Sequence, residues 1–191
     1  MKEIVLASNN KGKLAEYRAM LKGYSVVTPK DLGLTVDVEE TGDTFYDNAL
    51  IKARALFELS GRPALADDSG LCVDALGGAP GVFSARYSGG GDADNNAKLL
   101  KALDGVVDRS AHFECCIVYY DGNEIISATG KAYGRIAHEP CGCGGFGYDP
   151  LFLSDDINKT FGQASEAEKN GISHRARALT ALMDLLGADN V

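Results

Sequence analysis

Short apolar runs alternate with apolar residues at helical spacing in the first part of the chain. Residues 2–7 are predicted to form a short strand, of which residues 4–7 are apolar, and Leu14, Tyr17 and Leu21 then recur at the spacing of one helix face. The intervening Ser8-Asn9-Asn10 has the composition of a turn and a helix cap. The chain is therefore predicted to open as a strand, a polar loop and a helix.

The same periodicities predict further elements downstream. They are a strand over 24–28, a helix over 44–59, a short buried strand over 64–66 and a helix over 166–186. Ser165 and Glu168 have the spacing of a capping box, which marks the start of the last helix.

Two β-rich runs, 111–120 and 124–133, are separated by a segment that contains Asp121-Gly122. This dipeptide between two strands is a strong signal for a hairpin. Strands interleaved with helices, together with one antiparallel hairpin, predict an α/β fold with a mixed sheet. We expect the hairpin to form the core of a second lobe within a single domain that spans residues 1–191.

The charge balance excludes one class of function. The 191 residues include 19 basic and 27 acidic side chains, which gives a formal net charge of −8. A nucleic-acid-binding surface needs clustered Lys and Arg, so this balance argues against one. At 45% apolar and 24% charged residues the composition is that of a globular domain. The chain has no run of the roughly 20 apolar residues that a membrane helix needs, and we expect a cytoplasmic protein.

The five cysteines point to free thiols rather than to a disulfide framework. Their number is odd, and a chain of this length can build a core without crosslinks. Cys141-Gly-Cys143 lacks the spacing and the second pair of a structural zinc site. Cys115 and Cys116 lie in an apolar run and are expected to fill the core.

A glycine-rich segment, Gly142-Cys-Gly-Gly-Phe-Gly147, matches the glycine pattern of dinucleotide-binding loops. That loop must open a helix at its last glycine, whereas Tyr148-Asp149-Pro150 follows here. Because the residue before a proline disfavours helix, the dinucleotide interpretation fails. Two interpretations stay open: a loop whose backbone approaches a ligand, and a plain surface connection.

Ser8-Asn9-Asn10-Lys11-Gly12-Lys13 lies between a strand and a helix N-terminus. Free backbone N–H groups and the helix dipole favour an anion at such a position, and the two lysines add positive charge. The segment lacks the glycine spacing of a Walker loop. It is either a phosphate site or a capped helix with solvated lysines.

Two acidic pairs are candidates for binding a metal ion. Asp67-Asp68 is expected in a loop just beyond the short apolar strand, where carboxylates can bind a divalent cation or orient a water molecule. Glu39-Glu40 precedes the second helix. Turn chemistry at Asp67-Asp68 and helix-start charge at Glu39-Glu40 are the alternatives.

Positive charge is concentrated near the start of the last predicted helix. Lys169, His174 and Arg175 lie close together in an otherwise acidic chain. This concentration indicates an anionic ligand, and the alternative is a solvated helix face.

Taken together, these segments resemble the inosine triphosphate pyrophosphatase family. The resemblance rests on the following motifs, which occur in order along nearly the whole chain: Ser8-Asn9-Asn10 with Lys13, Glu39-Glu40-Thr41-Gly42 with Asn48 and Lys52, Ala66-Asp67-Asp68-Ser69-Gly70-Leu71, Gly77-Gly78-Ala79-Pro80-Gly81 with Ser84-Ala85-Arg86-Tyr87, Gly145-Phe146-Gly147-Tyr148-Asp149-Pro150, and Ser173-His174-Arg175.

The resemblance implies a long mixed β-sheet with flanking helices and two lobes around a central substrate cleft, usually in a homodimer. It implies Mg²⁺-dependent hydrolysis of ITP, dITP and XTP to the monophosphate and pyrophosphate. Such an activity removes deaminated purines from the nucleotide pool and keeps them out of DNA and RNA.

The resemblance also implies roles for particular residues. Asp68 is expected to be the general base and a metal ligand, Glu39 or the adjacent Glu40 the second metal ligand, and Lys52 a catalytic cation. The triphosphate is expected at Ser8, Asn9, Asn10, Lys11, Gly12 and Lys13. The rest of the substrate is expected at Ser69, Phe146, Gly147, Tyr148, Asp149, Lys169, His174 and Arg175.

Base selection follows from hydrogen-bond matching. Hypoxanthine and xanthine carry a 6-oxo acceptor that His174 or Arg175 can meet, whereas adenine presents an amine there. Phe146 or Tyr148 is a candidate to stack on the purine. Three alternative functions stay open: a pyrophosphatase for another triphosphate, as in the Maf-like enzymes, a nucleotide-binding regulator without hydrolysis, and an NAD-dependent oxidoreductase.

Overall fold

The structure is a computed structural model that describes residues 2–8 and 10–188. Its strands are β1 (Lys2–Leu6), β2 (Tyr24–Val27), β3 (Ala64–Val73), β4 (Ser110–Tyr120), β5 (Ile125–Ile136), β6 (Phe152–Ser154) and β7 (Lys159–Thr160). Its α-helices are α1 (Lys11–Met20), α2 (Phe45–Ser60), α3 (Asp92–Ala102), α4 (Glu166–Ile172) and α5 (His174–Ala188). Short 3₁₀ turns lie at Lys30–Leu32, Asp74–Leu76 and Gly81–Arg86.

The strands form one seven-stranded sheet in the order β2-β1-β3-β4-β5-β6-β7. β1 pairs in parallel with β2 and β3, whereas β6 pairs antiparallel with β5 and β7. The predicted α/β fold with a mixed sheet is thereby confirmed. β4 and β5 are neighbours joined by the turn at residues 121–124, as the Asp121-Gly122 signal predicted. Within the described part of the chain, no helix is long and apolar enough to cross a membrane.

The chain forms two compact units. The first comprises residues 1–68, 115–130 and 175–191, and its core includes Leu6, Tyr17 and Leu65. The second comprises residues 69–114 and 131–174, and its core includes Phe113, Phe152 and Phe161. In the second unit the three phenylalanine rings lie 4.7 to 6.0 Å apart, within the range of favourable aromatic contacts.

Side-chain caps fix the starts of three helices. Asn10 accepts a hydrogen bond from the Lys13 amide at the start of α1, and Thr44 does the same for the Asp47 amide at α2. The predicted capping box at α4 is confirmed: the Ser165 hydroxyl accepts from the Glu168 amide, and the Glu168 carboxylate accepts from the Ser165 amide.

The third strand is longer than the sequence pattern predicted, and this changes the position of the acidic pair. β3 runs on to Val73, so Asp67 and Asp68 lie inside the strand and not in a loop beyond its end. The prediction failed because two adjacent carboxylates followed by Ser69-Gly70 are typical of a turn. Cationic side chains around both carboxylates, described below, allow them to be buried within the sheet.

The predicted helix over 166–186 is two helices. Ser173 separates α4 from α5 with an extended backbone at φ −64° and ψ 155°, and its side chain is buried. Helical spacing continues across the break, so periodicity alone did not reveal it. The break places His174 and Arg175 in the first turn of α5. The sequence reading also missed α3, β6 and β7, which are short or mainly polar.

Candidate active site

The predicted phosphate segment does connect β1 to the start of α1. Ser8 accepts a hydrogen bond from the Asn10 amide, and Asn10 in turn caps the helix that begins at Lys11. Lys11 is exposed, whereas Gly12 and Lys13 are half-buried. Asn9, predicted to bind the same phosphates, lies outside the described residues. The N-terminus of α1 therefore offers the backbone N–H groups and the helix dipole that favour an anion.

Lys13 pairs with Asp67. Its ammonium Nζ lies 3.0 Å from Asp67 Oδ2, and the Asp67 side chain is 1% exposed. Arg175 reaches the same oxygen through Nε and Nη2, each at 3.4 Å, and also pairs with Glu16. The buried Oδ1 of Asp67 has no hydrogen-bond partner within residues 2–8 and 10–188. Asp67 thus connects α1, through Lys13, to the start of α5.

The charges around Asp67 decide its protonation. Burial alone would raise the pKa of the carboxyl, but the positive charges of Lys13 and Arg175 outweigh burial and hold the pKa well below its ordinary value. For Arg175, burial lowers the pKa, but the charge of Asp67 more than offsets it and the net pKa is raised. Both side chains are therefore ionised at neutral pH.

Asp68 belongs to a second cluster in the same unit. Asn48 Nδ2 donates to Asp68 Oδ2 at 3.1 Å, and Lys52 Nζ lies 3.7 Å from Asp68 Oδ1. Lys52 also donates to Glu40 Oε1 at 2.7 Å. Asn48 and Lys52 are one helical turn apart on α2, so they present their side chains on the same face of the helix. The sequence analysis gave Asn48 no role, although its spacing of four residues from Lys52 could have indicated that the two side chains lie together.

Burial raises the pKa of Asp68, and the negative charge of Glu40 raises it further. The positive charge of Lys52 lowers it, but the net result is a raised pKa. A carboxylate with a raised pKa is a stronger base than an ordinary aspartate. For Lys52, burial lowers the pKa, but Asp68, Asp67 and Glu40 outweigh it and the pKa is raised. Lys52 therefore stays cationic beside Asp68.

The carboxylates around Lys52 have the chemistry of a magnesium site. Asp68 and Glu40 both direct oxygens at the same ammonium, so two negative charges converge on one positive charge. Mg²⁺ is bound in proteins by one or two carboxylates together with water and substrate phosphates. Glu40 is half-buried in this cluster, whereas Glu39 is exposed. Of the two predicted glutamates, Glu40 is thus the one that the structure brings toward Asp68.

Gly42 holds the segment that carries Glu40 close to α2. Its amide donates to Asn48 Oδ1 at 2.8 Å. A Cβ atom at position 42 would lie 2.5 Å from the Asp47 Cβ and 2.9 Å from the Asn48 backbone nitrogen. Only glycine fits so close an approach.

A separate cluster forms in the second unit around Asp149. Asp149 Oδ2 accepts from the Phe146 amide at 2.8 Å and from Lys169 Nζ at 2.7 Å. The Lys169 ammonium also lies 4.5 Å from the centre of the Phe146 ring. Asp149 and Lys169 are both buried. The structure therefore joins three of the residues predicted for the nucleoside pocket, although Lys169 follows Asp149 by 20 residues in the sequence.

The two residues between Phe146 and Asp149 are held by other parts of this unit. The Gly147 amide donates to Asp92 Oδ2 at 2.8 Å, and its carbonyl accepts from Asn96 Nδ2 at 3.1 Å. The Tyr148 hydroxyl donates to the Ser84 carbonyl at 2.8 Å, and its ring belongs to the core. Tyr148 therefore anchors the loop to the core of the second unit. Because its ring is buried there, Phe146 is the better candidate for stacking on a base.

The remaining predicted residues divide between the two units. His174 is buried in the second unit and stacks on Phe113, with ring centres 4.8 Å apart. Ser69 is half-buried and follows Asp68 directly on β3. Arg175 belongs to the first unit, where its guanidinium contacts two carboxylates. Its predicted bond to a purine oxygen stays a prediction.

The arrangement in the first unit contains the parts needed for hydrolysis of a phosphoanhydride. It offers a buried carboxylate with a raised pKa, a second carboxylate, an adjacent ammonium and a helix N-terminus preceded by a polar loop. These groups can hold a divalent cation, bind phosphate oxygens and orient a water molecule.

Comparison with known proteins identifies relatives of similar length. The Ham1 family model matches residues 4–185. A protein from Ralstonia nicotianae, named dITP/XTP pyrophosphatase, is 51% identical over 97% of this chain and 97% of its own. A protein of the same name from Bacillus licheniformis is 49% identical over 97% of this chain and 98% of its own.

Solved structures give the same result for the fold. The Ham1 protein of Staphylococcus aureus superposes with a TM-score of 0.89 at 41% identity, covering 98% of this chain and 100% of that one. A nucleoside-triphosphatase / dITP/XTP pyrophosphatase from Mycobacterium abscessus superposes with a TM-score of 0.76 at 42% identity, covering 94% of this chain and 98% of that one.

Proposed function

The chain belongs to the Ham1 family, and from that membership we propose that it is a nucleoside-triphosphate pyrophosphatase. Its substrates are deaminated purine nucleotides, ITP, dITP and XTP, which it converts to the monophosphate and pyrophosphate. The observation that carries the proposal is the convergence of Asp68 and Glu40 on Lys52. Such a constellation suits hydrolysis of a polyanionic anhydride.

Asp68 is the general base in this proposal. Its carboxylate is fixed by Asn48, and its raised pKa suits it to take a proton from the attacking water. Glu40 and Asp68 hold Mg²⁺, which when bound neutralises phosphate charge and polarises the reacting phosphoryl group. Cleavage then falls at the α-phosphorus because the base holds the water at that position.

The cations of the first unit bind the triphosphate. The N-terminus of α1 receives phosphate oxygens through backbone N–H groups, and Lys11 and Lys13 add positive charge. Lys52, beside Asp68, stabilises the negative charge that develops on the leaving pyrophosphate. Asp67 keeps Lys13 in place as a charged group.

The cluster around Asp149 supplies the nucleoside pocket. Phe146 offers a ring for stacking, and Lys169 beneath it is held by Asp149. His174 or Arg175 donates to the 6-oxo group that hypoxanthine and xanthine share. Adenine presents an amine at that position and would leave a buried donor unpaired, which gives strong discrimination against ATP. Guanine carries the same 6-oxo group, so GTP must be excluded at its 2-amino group.

The remaining parts of the proposal follow the family resemblance. The enzyme depends on Mg²⁺, works as a homodimer and acts in the cytoplasm.

The test is product analysis by ion chromatography after incubation with Mg²⁺ and, separately, ITP, XTP, ATP, GTP and dTTP. Pyrophosphate and monophosphate from ITP and XTP alone support the proposal. Orthophosphate with a diphosphate would contradict cleavage at the α-phosphorus. Turnover of dTTP in preference to ITP would indicate another substrate class, and binding without turnover would indicate a regulator. Asp68→Asn serves as the inactive control, and Asp37→Asn, at an exposed carboxylate, as its matched active control.

A further inference from the structure

Three side chains with metal-binding chemistry meet on the sheet of the second unit. Cys72 lies on β3, and His112 and Glu114 lie on the neighbouring β4. One ligand atom from each, the thiol sulfur, an imidazole nitrogen and a carboxylate oxygen, lie within 4.8 Å of one another. All three side chains are half-buried. None of them belongs to the residues proposed above for catalysis or substrate binding.

The strands impose this proximity. His112 and Glu114 are two residues apart on β4, so their side chains share one face of the sheet, while Ala111 and Phe113 face the core. Cys72 lies between the core residues Leu71 and Val73 on the adjacent strand. A β-bridge to Pro80 further fixes the backbone of Cys72. The ligand atoms thus project from rigid elements, as a preformed binding site requires.

We propose that Cys72, His112 and Glu114 bind one Zn²⁺ ion, with water as the fourth ligand. Zinc accepts sulfur, nitrogen and oxygen donors at roughly 2.0 to 2.3 Å in tetrahedral geometry, which sets ligand atoms roughly 3.3 to 3.8 Å apart. The three donors lie within 4.8 Å of one another, so side-chain rotation has to close the remaining gap when the ion binds. Coordination replaces the proton of the Cys72 thiol, which leaves to solvent.

Neighbouring side chains suit such a site. Lys131 on β5 pairs with Glu114 Oε2 at 2.8 Å, and an ammonium can hold a ligating carboxylate in orientation. The negative charges of the Cys72 thiolate and the Glu114 carboxylate balance the two positive charges of Zn²⁺. Lys131 can therefore stay paired with Glu114 when the ion binds. The ring of Tyr133 lies 5.6 Å from that of His112 and restricts the orientation of the imidazole.

The donor set separates this site from the magnesium site of the proposed function. A thiolate and an imidazole favour a borderline ion such as Zn²⁺ or Co²⁺, whereas Mg²⁺ prefers oxygen alone. The zinc site therefore stands independently of whether the protein hydrolyses nucleotides. Mg²⁺ in large excess should not displace the bound ion.

The test is metal binding by the full chain after removal of metals with a chelator. We expect the metal-free wild-type protein to take up one Zn²⁺ per chain when zinc is added back, and to retain it in equilibrium dialysis. With Co²⁺ in its place, the sulfur-to-metal charge-transfer band should appear in the near ultraviolet. Cys72→Ala should abolish that band, and Cys72→Ala, His112→Ala and Glu114→Gln should each weaken binding at least about tenfold.

Two control variants distinguish the proposed site from other donors. Cys143→Ala removes an exposed thiol of the same unit and should leave affinity and the cobalt band unchanged. Asp68→Asn removes a candidate magnesium ligand and should also leave both unchanged. Circular dichroism verifies that each variant is folded.

Three outcomes would overturn the proposal. The first is a wild-type protein that retains no ion, and the second is bound cobalt without a thiolate band. The third is loss of zinc in Cys143→Ala or Asp68→Asn together with its retention in Cys72→Ala. The first two need only the wild-type protein, so the proposal can be tested even if a variant fails to fold.

Discussion

Lys13 and Asp67 form an ion pair of 3.0 Å that connects the first helix to the third strand, and Asp67 is almost wholly buried. Arg175, from the last helix, contacts the same carboxylate oxygen. Buried charges are costly unless they are paired, so the three residues depend on one another. Asp67 therefore affects the stability of the first unit as well as the position of a lysine proposed to bind phosphate.

Replacing Asp67 by asparagine tests this dependence. Asp67→Asn keeps the shape of the side chain but leaves Lys13 and Arg175 without their common counter-charge. Breaking a buried ion pair costs about 3–5 kcal/mol, so we expect the free energy of unfolding to fall by that amount. Urea denaturation measures it, and Asp37→Asn, at an exposed carboxylate, is the matched control. If Asp67→Asn had the same free energy of unfolding as the wild type, the ion pair would make no net contribution to stability.

The pH dependence of stability should carry the signature of Asp67. Its pKa in the folded state lies below the value of about 3.9 expected in the unfolded chain, so the unfolded state binds the proton more readily. The stabilisation is complete above about pH 4 and is lost as the pH falls below it. We expect the stability difference between wild type and Asp67→Asn to narrow as the pH is lowered through this range. A difference that stays constant would mean that Asp67 does not titrate as described.

Local patterns predicted the elements that local forces determine. Thr44 and Ser165 begin helices because their side chains satisfy free amides, a feature visible in a few residues of sequence. The apolar face of α2 and the turn after Tyr120 were readable for the same reason. The charge pattern had already marked Asp68 and Lys169 as candidates, and the family resemblance added Lys52 and a role for each of the three before any contact was known.

Long-range contacts were not readable from such patterns. Asp67 and Asp68 resembled a turn because the cations that compensate them come from α1, α2 and α5. The break at Ser173 leaves the helical periodicity of its neighbours intact. Likewise, sequence alone did not separate Glu39 from Glu40, since the difference is the contact of Glu40 with Lys52.

Removing the ammonium of Lys52 should impair catalysis and shift its pH dependence. Lys52→Met retains a similar stem but removes the charge that opposes the raised pKa of Asp68. We expect kcat with ITP to fall by about a hundredfold or more, the typical cost of losing a group that stabilises developing charge. Without that charge the pKa of Asp68 should rise further. Because the rate increases with pH as Asp68 ionises, the acidic limb of the pH profile should then move to higher pH.

The control for this experiment is Lys22→Met, which removes an exposed lysine. It should leave both kcat and the pH profile unchanged. A Lys52→Met enzyme with lower kcat but an unshifted acidic limb would indicate that Lys52 acts on phosphate charge without influencing Asp68.

Loosening the loop at Asp149 should weaken substrate binding more than the chemical step. In Asp149→Asn the bonds to the Phe146 amide and the Lys169 ammonium lose the negative charge that strengthens them. We expect KM for ITP to rise about tenfold with a smaller change in kcat, measured by pyrophosphate release. Asp155→Asn, an exposed carboxylate in the same unit, is the matched control. A fall in kcat at constant KM would place Asp149 in the chemistry instead of in binding.

A methyl group at Gly42 should displace the segment that carries Glu40. In Gly42→Ala the new Cβ would lie 2.5 Å from the Asp47 Cβ, so the backbone must move away from α2. Because Glu40 is two residues away, its contact with Lys52 should be lost, and we expect a higher Mg²⁺ requirement together with lower kcat. Titration of activity with Mg²⁺ measures both. Gly171→Ala is the control, since a Cβ there meets nothing within 4 Å and alanine favours the helix. If Gly42→Ala kept the wild-type Mg²⁺ dependence, Glu40 would not be a ligand, and the exposed Glu39 would become the candidate.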